Sequence, residues 1–295
     1  MSETRGCDTV LTASISEMTT FRWGLAEECE RAAAHGFPAL SLWRTKLSDI
    51  GLEPARRLLR RHGLRVSSLQ WAGGFTGSDG RNFRESVADA VEAIEAAAFL
   101  GAGALVVHPG CRGGHTVGHA HRLLSEACEW LAPRAWDAGV RLAIRPFPAA
   151  ASAGCGFLTR LSSTLEWIDR FDHPAVGMAL DLWHFGHDAT LVGLLPALVR
   201  RLAVVKVADR IGAPTAEAER LLPGHGTMAL EAIVGALVAH GYAGDVEFEP
   251  VGEDVETAGY DATLGLLRGV ADTWGRHLAQ TQARERARIT SPAAG

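Results

Sequence analysis

Short apolar runs of strand length recur along the chain, and longer stretches with helical spacing separate them. The runs are TVLTASI, ALSLW, RVSSLQW, GALVVH, VRLAIR, AVGMALD, LAVVKVAD and DVEFEP. A short apolar run bounded by turn residues reads as a strand, whereas apolar positions three and four apart read as one face of a helix. Helical spacing covers 24–36, 48–62, 81–100, 117–139, 160–171, 189–201, 228–240 and 256–274. Several of these helices stop at a glycine just ahead of the next strand, as in AHGFPALSLW, RHGLRVSSL and LGAGALVV. Glycine is a sound stop signal because it takes the left-handed conformation without a Cβ clash. Eight strands alternating with eight helices over about 270 residues predict a (β/α)₈ TIM barrel rather than an open doubly wound sheet. No GxGxxG follows the first strand, which argues against a dinucleotide-binding fold. No linker is visible. The expected organisation is one barrel domain over 1–277 and a polar tail over 278–295.

Composition narrows the partners. The 295 residues are 47% hydrophobic and 21% charged with a net charge of −5, which gives no reason to expect nucleic acid or an anionic membrane. The opening MSETRGCDTV is polar, and no run approaches the roughly 20 apolar residues that span a bilayer. Cys7, Cys29, Cys111, Cys128 and Cys155 are odd in number and form no CxxC, so a disulfide framework is not expected. A cytoplasmic protein acting on a small molecule is the expectation, with a homodimer left open.

In such a barrel the chemistry sits at the C-terminal strand ends and the loops after them. The candidates are Glu17 after the first strand, Arg44 after the second, and Gln70 and Trp71 at the third. His108 ends the fourth and Arg145 the fifth, with Asp181 and His184 at the sixth. Lys206, Asp209 and Arg210 belong to the seventh, and Glu247 and Glu249 to the eighth.

GALVVHPG, GVRLAIRPF, MALDLWH, VVKVADR, LLPGHG and GYAGDVEFEPVGE, in that order, resemble the xylose isomerase-like TIM barrels, specifically the sugar-phosphate isomerase/epimerase group. The resemblance covers nearly the whole chain. It implies a divalent cation held by a Glu ending strand five, an Asp ending strand six, a His on strand seven and a Glu ending strand eight. The two glutamates would also move a proton between neighbouring carbons. In this chain the Asp falls on Asp181 and the last Glu on Glu249, whereas the first Glu falls on Arg145 and the His on Lys206. Guanidinium and ammonium groups do not bind a metal while protonated, and two carboxylates facing an empty socket need compensating charge. Arg145 and Lys206 are therefore expected to stand in the metal's place, paired with Asp181 and Glu249. No cofactor is expected, and a divalent metal, the family norm, is the fallback.

What that replacement does is open at this stage. As catalytic groups, Arg145 would bind a carbonyl or enolate oxygen and Glu249, or Asp181, would be the base, with His184 or His108 assisting. Carboxylates beside cations are weakened bases, which counts against that role. Lys206 as a Schiff-base nucleophile would give an aldolase or lyase instead. A plain buried ion-pair network would give a non-catalytic barrel that binds a small molecule or a protein. A conventional metal-dependent sugar epimerase is the remaining alternative. His108, Trp71, Trp183, Arg210 and His225 (the last in LLPGHG) are the candidate substrate contacts, and Trp23 and Trp43 sit near the same rim. His115, His119 and His121 have no carboxylate or Cys at ligand spacing and read as loop and helix surface. His184 shares its loop with His187, so chance placement is the alternative reading of His184, and Cys111 and Cys155 receive no role. The leading expectation is an isomerase/epimerase-like enzyme that moves a proton, in isomerisation, epimerisation or elimination, on a carbonyl- or carboxylate-bearing small molecule without a metal.

Overall fold

The computed structural model describes residues 11–151, 156–215 and 218–290. Cys7 and Cys155 lie outside them. Eight strands close a barrel in sequence order, every neighbouring pair parallel. They are β1 (Thr12–Ser16), β2 (Ala39–Trp43), β3 (Arg65–Gly73), β4 (Ala104–His108), β5 (Arg141–Ile144), β6 (Val176–Asp181), β7 (Leu202–Val207) and β8 (Asp245–Phe248). The connections carry α1 (Leu25–Ala34), α2 (Arg44–Ile50), α3 (Leu52–Arg61), α4 (Phe83–Leu100), α5 (Val117–Asp137), α6 (Leu161–Phe171), α7 (Leu182–Phe185), α8 (Leu191–Leu198) and α9 (Leu230–Ala239). After β8 come α10 (Glu253–Ala258) and α11 (Tyr260–Thr290). The closed (β/α)₈ architecture is the one the alternating pattern predicts. Among the described residues no helix is long and apolar enough to cross a membrane.

The differences lie at helix ends. The expected 48–62 helix is two, α2 and α3, because Gly51 at φ +79° breaks it. Gly259, also at φ +79°, separates α10 from α11. The polar stretch from 278 continues as helix, with α11 running through it to Thr290. Ala, Arg, Gln and Glu dominate QARERAR, and these are strong helix formers whatever their polarity. α4 starts cleanly because Asn82 and Glu85 form a reciprocal capping box that satisfies two amides otherwise left without partners.

The strand period of two sorts the barrel into layers. Outward positions such as Leu40, Leu105, Ile144, Leu180 and Phe248 pack under the helices. Inward, Ala104, Val106, Ala143, Ala179 and Val204 form a separate apolar floor on the β4–β7 side. On the β1–β3 side the lining is hydroxyl, with Ser14 on Ser67 at 2.7 Å and Ser41 on Ser68 at 2.9 Å. One step of two residues above the floor stand His108, Arg145, Asp181 and Lys206.

Asn82→Ala should lower stability by about 1 kcal/mol, the usual worth of an N-cap, as read from urea unfolding. An unchanged midpoint would mean that α4 is held by packing alone.

Candidate functional site

Register places the charged groups side by side. Lys206 pairs with Asp181 across β6–β7 and with Glu247 across β7–β8, and Glu249 lies one pleat above Glu247. The Lys206 ammonium is fully buried and donates to Glu247 Oε2 and Glu249 Oε2, both at 2.7 Å. Arg145 binds Asp181 Oδ2 and reaches Glu249 Oε1 at 3.5 Å. A third cation, Arg220, donates to both Asp181 oxygens at 3.0 and 3.1 Å and lies 3.3 Å from Glu249 Oε1. Its Nε also holds the Glu249 carbonyl at 2.9 Å. Arg220 was not among the residues expected from the sequence. It reaches the site through two antiparallel bridges, Asp209 with Leu221 and Arg220 with Val251, which fold the loop after β7 across the barrel mouth. Its signal was charge: Asp181, Glu247 and Glu249 are three carboxylates, and Arg145 and Lys206 are only two cations.

Three cations thus match three carboxylates. Burial by itself would raise the Asp181 carboxyl, but Arg220 and Arg145 outweigh it and hold the group well below the usual carboxylate range. Glu249 is depressed likewise: burial opposes, and Lys206, Arg220 and Arg145 prevail. Its Oε2 accepts from Ser16, Gln70 and Lys206 at 2.7–3.0 Å. So crowded a carboxylate has little lone-pair capacity left for a substrate proton, which counts against the base role expected of Glu249. Lys206, enclosed by two carboxylates, is likewise poorly placed for attack on a carbonyl.

Above the network opens a cavity of about 560 Å³ whose walls include Gln70, Trp71, His108, Arg145, Phe147, Trp183, His184, Arg220 and Glu249. Trp71 stacks on His108 with centroids 4.9 Å apart, and Trp43 backs Trp71 at 6.3 Å. His108 and His184 meet Phe147 edge-on from two sides, at 5.0 and 5.1 Å. Burial, then Arg145 and Lys206, push His108 well below its ordinary value, so the ring is neutral. Its buried Nε2 has no hydrogen-bond partner among the described residues. His184 is also lowered, chiefly by burial; its Nδ1 is 3.1 Å from Asp181 Oδ2 without hydrogen-bond alignment. Gly73 permits this packing, since at φ +130° a Cβ there would meet the His108 carbonyl oxygen at 1.9 Å.

Other expected residues stand elsewhere. Arg210 is a correction: its guanidinium turns away to hold the Trp183 carbonyl at 2.6 Å. His225 is another, exposed and paired with Asp254 at 2.9 Å, because the PGHG turn points it outward. Asp209 accepts from the amides of Arg210, Gly224 and Met228 at 2.8–3.1 Å and so fastens that turn. Arg44 binds Asp89 and the Trp71 carbonyl. Trp23 packs on Tyr260, and Glu17 lies in a separate buried cluster. His115 stacks on His119, His121 packs on Phe157, and His187 contacts the Thr227 carbonyl.

A sequence profile of the xylose isomerase-like TIM barrel family matches residues 29–270. The chain belongs to that family. No curated protein matches it. Among solved structures, a protein from Sinorhizobium meliloti 1021 is 26% identical with a TM-score of 0.79, over 87% of this chain and 96% of that one. A xylose isomerase domain protein from Alicyclobacillus acidocaldarius is 18% identical (TM-score 0.72; 92% and 99% covered). A 3-keto-D-glucoside 4-epimerase from E. coli is 19% identical (TM-score 0.72; 88% and 99% covered). At the positions where the family resemblance implies a divalent ion, this xylose isomerase-like barrel does not offer a fitting donor set. Asp181 and Glu249 already carry cations, Arg145 and Lys206 present no lone pair, and no three His, Cys, Asp or Glu converge as a metal-binding group among the described residues.

Lys206→Met should destabilise by about 3–5 kcal/mol, because Glu247 and Glu249 are then buried together without their ammonium. Arg145→Ala should cost less, since Arg220 still binds Asp181. In the wild type the depressed carboxyls of Asp181 and Glu249 contribute stability that is present above their unfolded values, near 4, and lost as pH falls further. In Lys206→Met one carboxyl is raised instead, so stability returns as pH falls through that raised value. Urea unfolding from pH 8 to pH 5 should show the gap to wild type narrowing; a constant gap would refute the pairing.

Proposed function

We propose that this barrel is an isomerase/epimerase-like enzyme that moves a proton beside a carbonyl without a resident metal. The observation that carries the reading is the cavity itself: Arg145, Arg220 and Glu249 line its floor, with Lys206 buried behind Glu249, and His108 and His184 meet Phe147 from two sides in its wall. The two guanidiniums supply fixed donors for a carbonyl oxygen as it takes on enolate charge. His108, neutral and with Nε2 unpartnered among the described residues, takes the proton from the adjacent carbon; a proton is returned either to the opposite face by His184, once it has taken one up from solvent, or to the neighbouring carbon by the His108 imidazolium itself. The first outcome is epimerisation and the second isomerisation. Transfer to neutral His108 creates an imidazolium beside an enolate, so the pair that forms is mutually stabilised in a dry site. Matched ionic charge favours an uncharged hydroxycarbonyl substrate over a strong anion.

The complete pairing of the ions favours a second reading, a barrel that binds a small molecule without turning it over. One experiment separates the two. Chelator-treated protein is incubated in D₂O with a panel of ketoses and 2-keto acids, and proton NMR follows deuterium entry next to the carbonyl. Exchange is expected, undiminished by EDTA and lowered about 100-fold or more in His108→Phe. Ligand-induced thermal shifts with no exchange would establish the binding barrel. Exchange lost with EDTA together with near-stoichiometric metal would restore the conventional metal-dependent epimerase.

A further inference from the structure

A second buried ionic cluster lies where the chain leaves β1 and β2, apart from the cavity floor. Glu17 and Glu28 are 1% and 2% exposed, and Lys46 is the cation beside them. Lys46 Nζ donates to Glu28 Oε1 and to the carbonyls of Thr20, at 3.0 Å, and Glu17, at 3.4 Å. Thr20 Oγ1 also donates to Glu28 Oε1, and the Trp43 amide donates to Glu17 Oε2. The other oxygen of each carboxyl, Glu17 Oε1 and Glu28 Oε2, has no donor among the described residues. Yet the two carboxyl groups lie in hydrogen-bonding contact with each other, which two ionised carboxylates do not sustain. The charged or titratable groups facing Glu17 are Glu28 and Cys29 from α1 and Lys46 from α2. The Cys29 thiol contributes no charge, because burial, with Glu17 and Glu28 nearby, pushes it up to about 12. One ammonium against two buried carboxyls leaves one carboxylate uncompensated unless a proton is retained.

We infer that Glu17 and Glu28 hold a single proton between them in the folded protein, and that this proton ties the segment after β1 to α1. Glu17 is the donor side: burial and then Glu28 raise it well above the usual carboxylate range, against Trp43 and Lys46. The tie matters to the cavity because Glu17 fixes the backbone at Trp43, whose ring backs Trp71 and through it His108. Glu17 is thus a positioning residue for that ring stack.

The test uses Glu17→Gln, Glu28→Gln and the double variant of the full chain. An amide N–H at either position does the work of the shared proton, so each single variant should melt close to wild type at pH 7. The double variant leaves Lys46 without a carboxylate and should melt about 10 °C lower. Infrared spectra with ¹³C-labelled glutamate should show a protonated carboxyl in the wild type at pH 7 and none in either single variant. A folded value raised above the unfolded one, about 4.3, gives stability that is complete below the latter and lost as pH rises through the former. The wild type should show that alkaline loss and both single variants should lack it. A wild type with no protonated carboxyl at pH 7 would overturn the inference, as would a band that persists in Glu17→Gln or a double variant as stable as the singles. A missing band together with melting raised by added Na⁺ or Ca²⁺ would also overturn it, by putting a cation where the proton was assigned.

Discussion

The contact of Lys206 with Glu247 and Glu249 is the constraint from which the rest of the barrel mouth follows. An ammonium group with no exposed surface has to be matched by carboxylates, and the β7–β8 register sets two of them beside it. Each carboxylate then needs further donors, which come from Ser67 for Glu247 and from Ser16, Gln70, Arg145 and Arg220 for Glu249. Asp181 completes the set by accepting from both guanidiniums. Buried ion pairs are a poor source of net stability, because desolvation takes back most of the attraction, but breaking one is expensive. The network therefore specifies geometry more than it stabilises the fold. Moving any one of these side chains leaves another charge uncovered.

Much of this was legible in the chain. The period-two runs and the glycines ahead of them yield the barrel, because eight such units admit few other closed arrangements. Arg145, Asp181, Lys206 and Glu249 were found because strand ends are fixed by the same pattern, and the structure brings them together. Arg220 was missed because no local periodicity reports a loop that folds back by isolated bridges; its place depends on Val251, a residue 31 positions on. Arg210 misled for the converse reason. It stands next to the strand end in sequence, but its alternate direction carries it to the Trp183 carbonyl. The helix breaks at Gly51 and Gly259 escaped notice because neither glycine precedes a strand, the context in which a stop was being sought.

Guanidinium and ammonium groups at the barrel mouth change which side chains can carry protons. A bound cation leaves its carboxylate ligands with lone pairs directed at solvent or substrate. Here Asp181, Glu247 and Glu249 are covered by N–H and O–H donors, and each of the three cations is ion-paired with at least one of them. Proton traffic, if it passes through this cavity, has to use groups outside the pairing, and those are the histidines of the wall. Their neutrality comes first from burial, and the guanidiniums that hold the carboxylates ionised add to it.

The floor explains why the cations stand where they do. Beneath Arg145, Asp181 and Lys206 lie Ala143, Ala179 and Val204, which offer no hydrogen bonds from below. A charge on β5, β6 or β7 can therefore be satisfied only sideways along the mouth. The carboxylates of β8 face the opposite wall, where Ser16, Ser67 and Gln70 supply donors from β1 and β3. Anions on β8 are thus half-solvated by hydroxyls and amide before any cation arrives, whereas Lys206 over the apolar floor pairs with those anions, and Arg145 with Asp181 and, at 3.5 Å, Glu249. This asymmetry makes β8 the natural anchor of the network and makes Lys206 dependent on it. A hydrophobic replacement on the floor would leave that dependence intact, while loss of the Ser67 or Gln70 donors would weaken the anchor itself.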